Sequence, residues 1–381
     1  MTLDEVHVLK QELTADFEPA KAMHLVQKRI DTRQLNGFLR SILDRPMREL
    51  PQIFTSHEPL IVGAAQSGRR LRPTAIPSMH AFVAQGAEGE AEPNLSIGYS
   101  TVAKNDYQLE VRLQQPNVAT ILFAQEIVRR AGGQARVGEY RDLTAHARAA
   151  GASGAPGLSI GNSIGHPKSP PGTLGLFMCS RDGVGVFSNS HVLAWCGRAK
   201  PGDAVYVPHP KDAAGSKIGQ LQRFSNLVQD EVIRFDAAFA TLGGDVKYRG
   251  NIVPEDLPDG GKKIVAARKK PDPGTLKVRK IGRTSRSTTG TFSAVGVDPK
   301  LEYPGLGQVK LTGMMEILWD SPKNAFSEPG DSGSVVYRPD TMEAIAIVVG
   351  GGVRDVDGVS QGVSIACPLD QVIAEWGLSL V

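Results

Sequence analysis

The chain has 381 residues, enough for two to three domains at roughly 150 residues each and for at least one sizeable core. Hydrophobic residues at 41% and charged residues at 22% exclude a disordered or collagen-like chain, and 42 Gly and 25 Pro against 6% aromatics point to many turns. A formal net charge of +3 is too small to serve as a footprint for nucleic acid, so no nucleic-acid partner is expected.

The first expected element is helical, residues 3–44. Pro19 sits where a first helical turn tolerates it, and Ala22, Leu25, Val26, Ile30, Leu35, Phe38, Leu39 and Ile42 recur at helical spacing up to Arg45-Pro46. Residues 48–92 are rich in Pro, Gly and Ser with weak periodicity and read as an extended connector, so 1–92 is one N-terminal region. Residues 95–102 and 107–113 alternate like two strands. Asn117 is placed to cap a helix through Arg130, Gly132-Gly133 closes that helix, and a third strand is expected near 135–140. Residues 93–142 therefore read as a small strand-strand-helix-strand module, and 143–171, with its Gly, Ser and Pro punctuation, as a linker.

From 172 to 381 the texture changes to short strands set apart by turns: 173–179, 184–188, 204–208, 218–222, 235–242, 277–281, 288–297, 308–319, 334–337, 344–349 and 359–366. Strands at this spacing without intervening amphipathic helices favour a sandwich or barrel, and a helix at 368–376 closes the chain. The longest uncharged apolar stretch, roughly 344–353, is about half of the ~20 residues a membrane-spanning helix needs, so no membrane contact is expected. The acidic, polar start has no basic tip followed by an apolar run and is not a secretory signal, which makes the cytoplasm the expected compartment. Cys179, Cys196 and Cys367, an odd set without CxxC spacing, indicate neither a zinc cluster nor a disulfide framework and read as small buried hydrophobes.

No phosphate loop, HExxH or dinucleotide fingerprint occurs, so neither cofactor nor metal is expected. The segment Glu328-Pro329-Gly330-Asp331-Ser332-Gly333-Ser334 is different. A hydroxyl on a Gly-flanked turn before an apolar strand can be held exposed, and the backbone N–H groups of Gly330 and Ser332 can converge on one oxyanion. Ser332 is a candidate nucleophile, and a hydroxyl at neutral pH needs a base. Of eight histidines, His191 stands out, delivered from the end of an apolar strand into a short helical turn. His166 and His209 sit beside Pro and read as exposed loop residues. A neutral imidazole also needs a buried carboxylate, and Asp236 is the lone charge in the apolar run 235–240, with Asp230 in a polar loop as the fallback. The order His191, Asp236, Ser332 disfavours an α/β-hydrolase, in which the nucleophile comes first.

With these residues in hand, 160–381 resembles the chymotrypsin/trypsin-like serine peptidases. SNSHVLA is similar to the histidine motif, FDAAFATL to the aspartate strand and EPGDSGS to the serine motif. KIGRTSRSTTGTFSAV resembles a segment of bacterial and plant narrow-leaf-type members, and part of 107–140 is similar to what precedes the peptidase in that bacterial subgroup. The resemblance implies a mainly β fold, two antiparallel six-stranded barrels preceded by a smaller α+β region, with His191 and Asp236 from the first barrel and Ser332 from the second.

It also implies a specificity pocket at Phe326, Val349, Gly350 and Gly351. With Phe326 at the base where an acid would select Arg or Lys, an uncharged residue before the cleaved bond is expected. Cys196 could lie near Cys179, and whether they pair stays open. In secreted relatives the aspartate equivalent to Asp331 pairs with a new N-terminal amine, and the sequence does not decide how Asp331 is satisfied here. The leading expectation is a serine endopeptidase acting on protein or peptide. The alternatives are a latent scaffold whose residues 1–150 bind a regulatory partner, and a gated protease effector in bacterial stress or defence.

Overall fold

The structure, a computed structural model, describes residues 1–16, 94–116, 118–146, 157–266, 272–321 and 324–381. The expected helix beyond residue 16, the connector at 48–92, the Asn117 cap and the middle of the expected linker lie outside them. The chain divides into two compact units, Met1–Arg141 with Arg354–Ser360, and Asp142–Val353 with Gln361–Val381.

The first unit starts with helix α1 (Leu3–Asp16), which buries Val6 and Leu13. Strands β1 (Asn94–Ala103) and β2 (Asp106–Gln114) form an antiparallel hairpin in which Leu95 faces Leu113 and Ile97 faces Val111. Period-2 alternation sends Leu109, Val111 and Leu113 fully inside. Helix α2 (Val118–Arg130) buries Ile121, Ala124 and Ile127, a one-face set at helical spacing, and returns the chain parallel to β2 as β3 (Ala135–Ala145). A buried Glu110 carboxylate is paired with Arg112 at 2.7 Å and with Arg136 at 2.9 Å.

The second unit is mainly β. Its first sheet has six strands in the order β21 (Ser379–Leu380), β6 (Leu176–Ser180), β7 (Gly183–Ser188), β11 (Ala238–Leu242), β9 (Ser216–Phe224) and β8 (Ala204–Val207). The expected strand at 173–179 is two pieces, β5 (Gly172–Thr173), which pairs with β4 (Ser163–Ile164), and β6. In the second half, β14 (Arg286–Val297), β13 (Leu276–Gly282), β18 (Val335–Tyr337), β19 (Glu343–Val356), β20 (Val359–Pro368) and β17 (Met314–Trp319) are neighbours in that order, and β14 also pairs with β17. Further strands join the same sheet, among them β10 (Val232–Ile233), β12 (Val265–Ala266), β15 (Lys300–Tyr303) and β16 (Gly307–Leu311), so it is not a clean six-stranded barrel. The expected strand at 308–319 is split where Gly313 turns at φ +74°. Helix α4 (Leu369–Trp376) closes the chain, with Gly377 as a left-handed C-cap.

The residues that hold the two strand sets together include glycines at close approaches. A Cβ on Gly175 would come within 2.1 Å of the Gly333 carbonyl oxygen, so only glycine lets the chain entering β6 pass the turn that precedes β18. Gly175→Ala is expected to lower the unfolding free energy by about 2 kcal/mol through overpacking, read as a fall in the urea midpoint with an unchanged slope.

Candidate active site

Strand β7 ends at Ser188, and the chain turns at once into the one-turn helix α3 (Ser190–Leu193), which carries His191. Strand β11 lies antiparallel to β7 with Ala238 opposite Ser188. That register sets Asp236, just ahead of β11, beside the start of α3. The Asn189 side-chain amide donates to the Asp236 carbonyl at 2.7 Å and clamps the two segments together.

The Asp236 carboxylate is fully buried and accepts three hydrogen bonds. His191 Nδ1 donates to Oδ2 at 2.5 Å, the His191 backbone N–H donates to Oδ1 at 3.2 Å, and the Tyr303 hydroxyl donates to Oδ2 at 3.0 Å. A carboxylate out of water is tolerated only when its lone pairs are satisfied in this way. Burial, with the Asp236 charge adding to it, pushes the Tyr303 phenol well above its ordinary range, so it remains a donor. The bond from Nδ1 to Asp236 fixes the tautomer and leaves Nε2 as the acceptor, and Nε2 is buried without a hydrogen-bond partner. The fallback Asp230 lies instead in an exposed turn, its N–H donating to the Gln308 carbonyl at 3.2 Å.

Ser332 belongs to the tight turn 328–334. The Asp331 N–H donates to the Glu328 carbonyl and the Ser334 N–H to the Asp331 carbonyl, each at 2.9 Å. Gly330 and Gly333 take positive φ, +103° and +89°, which side chains resist. The Thr173 N–H donates to the Ser332 carbonyl at 2.8 Å, tying the turn to the half of the unit that carries His191. Ser332 is fully buried, not exposed as its turn suggested, because residues 144–146 and β19 cover it: its Oγ rests 2.9 Å from the His146 carbonyl and 2.9 Å from the Val349 carbonyl, not on His191.

Beneath the turn, Asp331 pairs with Lys280 at 2.9 Å, both side chains fully buried. Its carboxylate also accepts from the backbone N–H groups of Thr284 at 2.9 Å and Glu328 at 3.0 Å, and from the Ser285 hydroxyl at 2.5 Å. Burial raises the Asp331 pKa, but Lys280 and these donors outweigh it and hold the group below the usual carboxylate range. The cation that satisfies Asp331 thus comes from within the chain.

Of the expected pocket residues, Phe326 is buried against Gly290, where an added Cβ would meet its ring at 2.7 Å. The next residue, Ser327, bonds His146 Nε2 at 2.8 Å and Ser364 Oγ at 2.6 Å, and Ser364 Oγ accepts from Trp319 Nε1 at 3.0 Å. Val349, Gly350 and Gly351 line the path of residues 144–146: a Cβ on Gly351 would stand 3.1 Å from His146 Nε2, and one on Gly350 2.1 Å from the Thr144 carbonyl oxygen.

His166 and His209 are not exposed, contrary to expectation. His209 Nε2 donates to the His166 carbonyl at 2.9 Å, and the His166 ring stacks on Trp195 with centroids 6.4 Å apart, so neighbouring loops bury both. All three cysteines are free. Sequence reasoning missed Tyr303, Lys280, Ser327, Ser364 and His146 as site residues. Only Lys280 sat inside a motif singled out from the sequence.

Among solved structures, the chain is similar to bacterial chymotrypsin-like serine proteases. Protease A of Thermobifida fusca is 16% identical with a TM-score of 0.41, over 59% of this chain and 98% of that one. The Nocardiopsis protease is 17% identical with a TM-score of 0.42, over 58% and 98%. A glutamic acid-specific serine protease, described as using a histidine triad in substrate binding, is 17% identical with a TM-score of 0.41, over 59% and 100%. No family model matches the sequence, and no curated protein matches it. Among the described residues no helix is long and apolar enough to cross a membrane, and no group of three or more His, Cys, Asp or Glu could hold a metal ion.

The Lys280–Asp331 pair yields a test. Lys280→Met leaves Asp331 buried and uncompensated and is expected to cost about 3–5 kcal/mol in equilibrium unfolding. Because Lys280 holds the Asp331 pKa down, its contribution is full above the unfolded-chain value of about 3.9 and is lost as pH falls through the lower folded value. The gap between wild type and variant is therefore expected to shrink below about pH 4.

Proposed function

We propose that the chain is a serine endopeptidase that hydrolyses peptide bonds through an acyl-enzyme. The observation that carries this reading is the His191 imidazole, anchored through Nδ1 on the buried Asp236 carboxylate, with Nε2 left as an unpartnered acceptor. A buried imidazole nitrogen without a partner is costly as structure and useful as a base. In this mechanism the Ser332 side chain turns from its carbonyl acceptors toward Nε2, gives up its proton and attacks the substrate carbonyl. Asp236 stabilises the imidazolium that forms, and Tyr303 shares the carboxylate's charge. The N–H groups of Gly330 and Ser332 receive the oxyanion. His191 then protonates the leaving amine, and water, deprotonated by the same nitrogen, frees the ester. On this reading the two strand sets of the second unit are the two barrels flanking the cleft.

A second reading, a catalytically latent scaffold, is favoured by the full burial of Ser332 and by the rest position of its hydroxyl. Casein digestion followed by mass spectrometry separates the two. Wild type is expected to generate new peptides, Ser332→Ala none, and Asp236→Asn peptides at a rate lower by about 10⁴-fold, because the wrong tautomer is then favoured. A wild-type chain that leaves casein intact supports the scaffold.

A further inference from the structure

The turn that carries Ser332 rests on an arginine from the turn between β13 and β14. Arg283 donates through Nε at 3.0 Å and Nη2 at 2.5 Å to the Asp212 carboxylate, and both side chains are buried. Ser163 Oγ donates to the same carboxylate. Two parallel bonds fix the plane of a guanidinium as well as its position. Asp212 lies in the loop between β8 and β9, so the pair joins the strand set of His191 to that of Ser332 within the second unit.

From that anchor Arg283 reaches the peptide groups on either side of Gly330. Its Nη1 donates to Thr284 Oγ1 at 3.3 Å, and its backbone N–H donates to Thr173 Oγ1 at 3.1 Å. A threonine hydroxyl has one proton, and a hydroxyl that accepts from arginine is left to give that proton elsewhere. Thr284 gives it to the Pro329 carbonyl at 3.0 Å, and Thr173 gives it to the Gly330 carbonyl at 2.9 Å. The Pro329 carbonyl and the Gly330 N–H belong to one planar trans peptide and point in opposite directions. Holding the carbonyl on Thr284 therefore aims the N–H the other way. An added Cβ on Gly330 would stand 2.1 Å from Arg283 Nη1 and 2.4 Å from Thr284 Oγ1, so both groups lie directly against the backbone they orient. Gly330, at φ +103°, has no side chain of its own to fix that orientation.

Resting on the peptidase reading, we propose that Arg283, anchored by Asp212, is a positioning residue that acts through Thr284 to keep the Gly330 N–H aimed as an oxyanion donor, with Thr173 holding the following peptide. A clamp that served only to join the strand sets would need neither hydroxyl, yet both end on the carbonyls that flank this one donor. Neither Arg283 nor Thr284 supplies a reacting atom. A donor that is misaimed weakens binding of the transition state and leaves binding of the substrate in place, so the effect falls on kcat and not on KM.

The test measures kcat and KM on fluorescein-labelled casein, and the rate at which a fluorophosphonate labels Ser332, with full-length chains whose folding is checked by circular dichroism. Thr284→Val is expected to lower kcat about 10-fold, less than the roughly 10²–10³ of a donor removed outright, with KM unchanged and labelling slowed in parallel. Thr284→Ser keeps the hydroxyl and is expected to restore both rates. Arg283→Lys keeps a charge for Asp212 but not the fork, and is expected to match Thr284→Val at about 10-fold. Because the two act in one chain of bonds, the double variant is expected to lose no more than either single one. The bond from Thr284 to Pro329 lies at the exposed side of the turn, so Thr284→Val decides the matter even where Arg283→Lys does not fold. Wild-type kcat in Thr284→Val, a loss carried in KM, or a loss that Thr284→Ser does not restore overturns the positioning role and leaves the peptidase reading standing. A wild-type chain that neither digests casein nor takes the fluorophosphonate overturns both.

Discussion

A single buried negative charge organises the second unit. Taking the Asp236 carboxylate out of water costs several kcal/mol after relaxation, and only a full set of donors offsets it. Those donors come from two places distant in sequence: His191, through both its backbone N–H and its ring, and the hydroxyl of Tyr303 at the end of β15. Each therefore has to arrive in position for the buried carboxylate to have its lone pairs satisfied. Nearby Cys196 and Cys367 add no second negative charge, because burial, reinforced by the Asp236 charge, pushes both thiols up to about 12. The requirement that stabilises the fold and the requirement that keeps His191 in one tautomer are then the same requirement.

The catalytic candidates were legible in the sequence because each violates its local context. Asp236 is a charge in an apolar run, His191 ends an apolar strand, and Ser332 sits between glycines ahead of another apolar strand. Such violations are visible within a window of a few residues. Tyr303, Ser327 and Ser364 violate nothing locally, since an aromatic at a strand end or a serine in a loop or a strand is ordinary, and their roles exist only through partners far along the chain. Lys280 falls in the same class: it becomes informative only once its ammonium is seen fully buried against Asp331.

The strands follow a similar division. Alternation over 107–113 announces a strand, and β2 spans Asp106–Gln114. The run 344–349 marks only the buried start of β19, which continues to Val356 through glycines that carry no hydrophobic signal. His166 and His209 look like loop residues beside proline, yet hydrogen bonding and stacking between loops bury them, a long-range outcome no local pattern carries. His146 is the extreme case, a histidine in an unremarkable Ala-rich stretch whose meaning comes from the recess it fills.

The counter-ion beneath the serine turn travels with the polypeptide from the moment it is synthesised. Lys280 meets Asp331 through folding alone, so the proposed catalytic turn acquires its shape without waiting for any scission to liberate an amine. Control over such a protein cannot be exercised by withholding that charge.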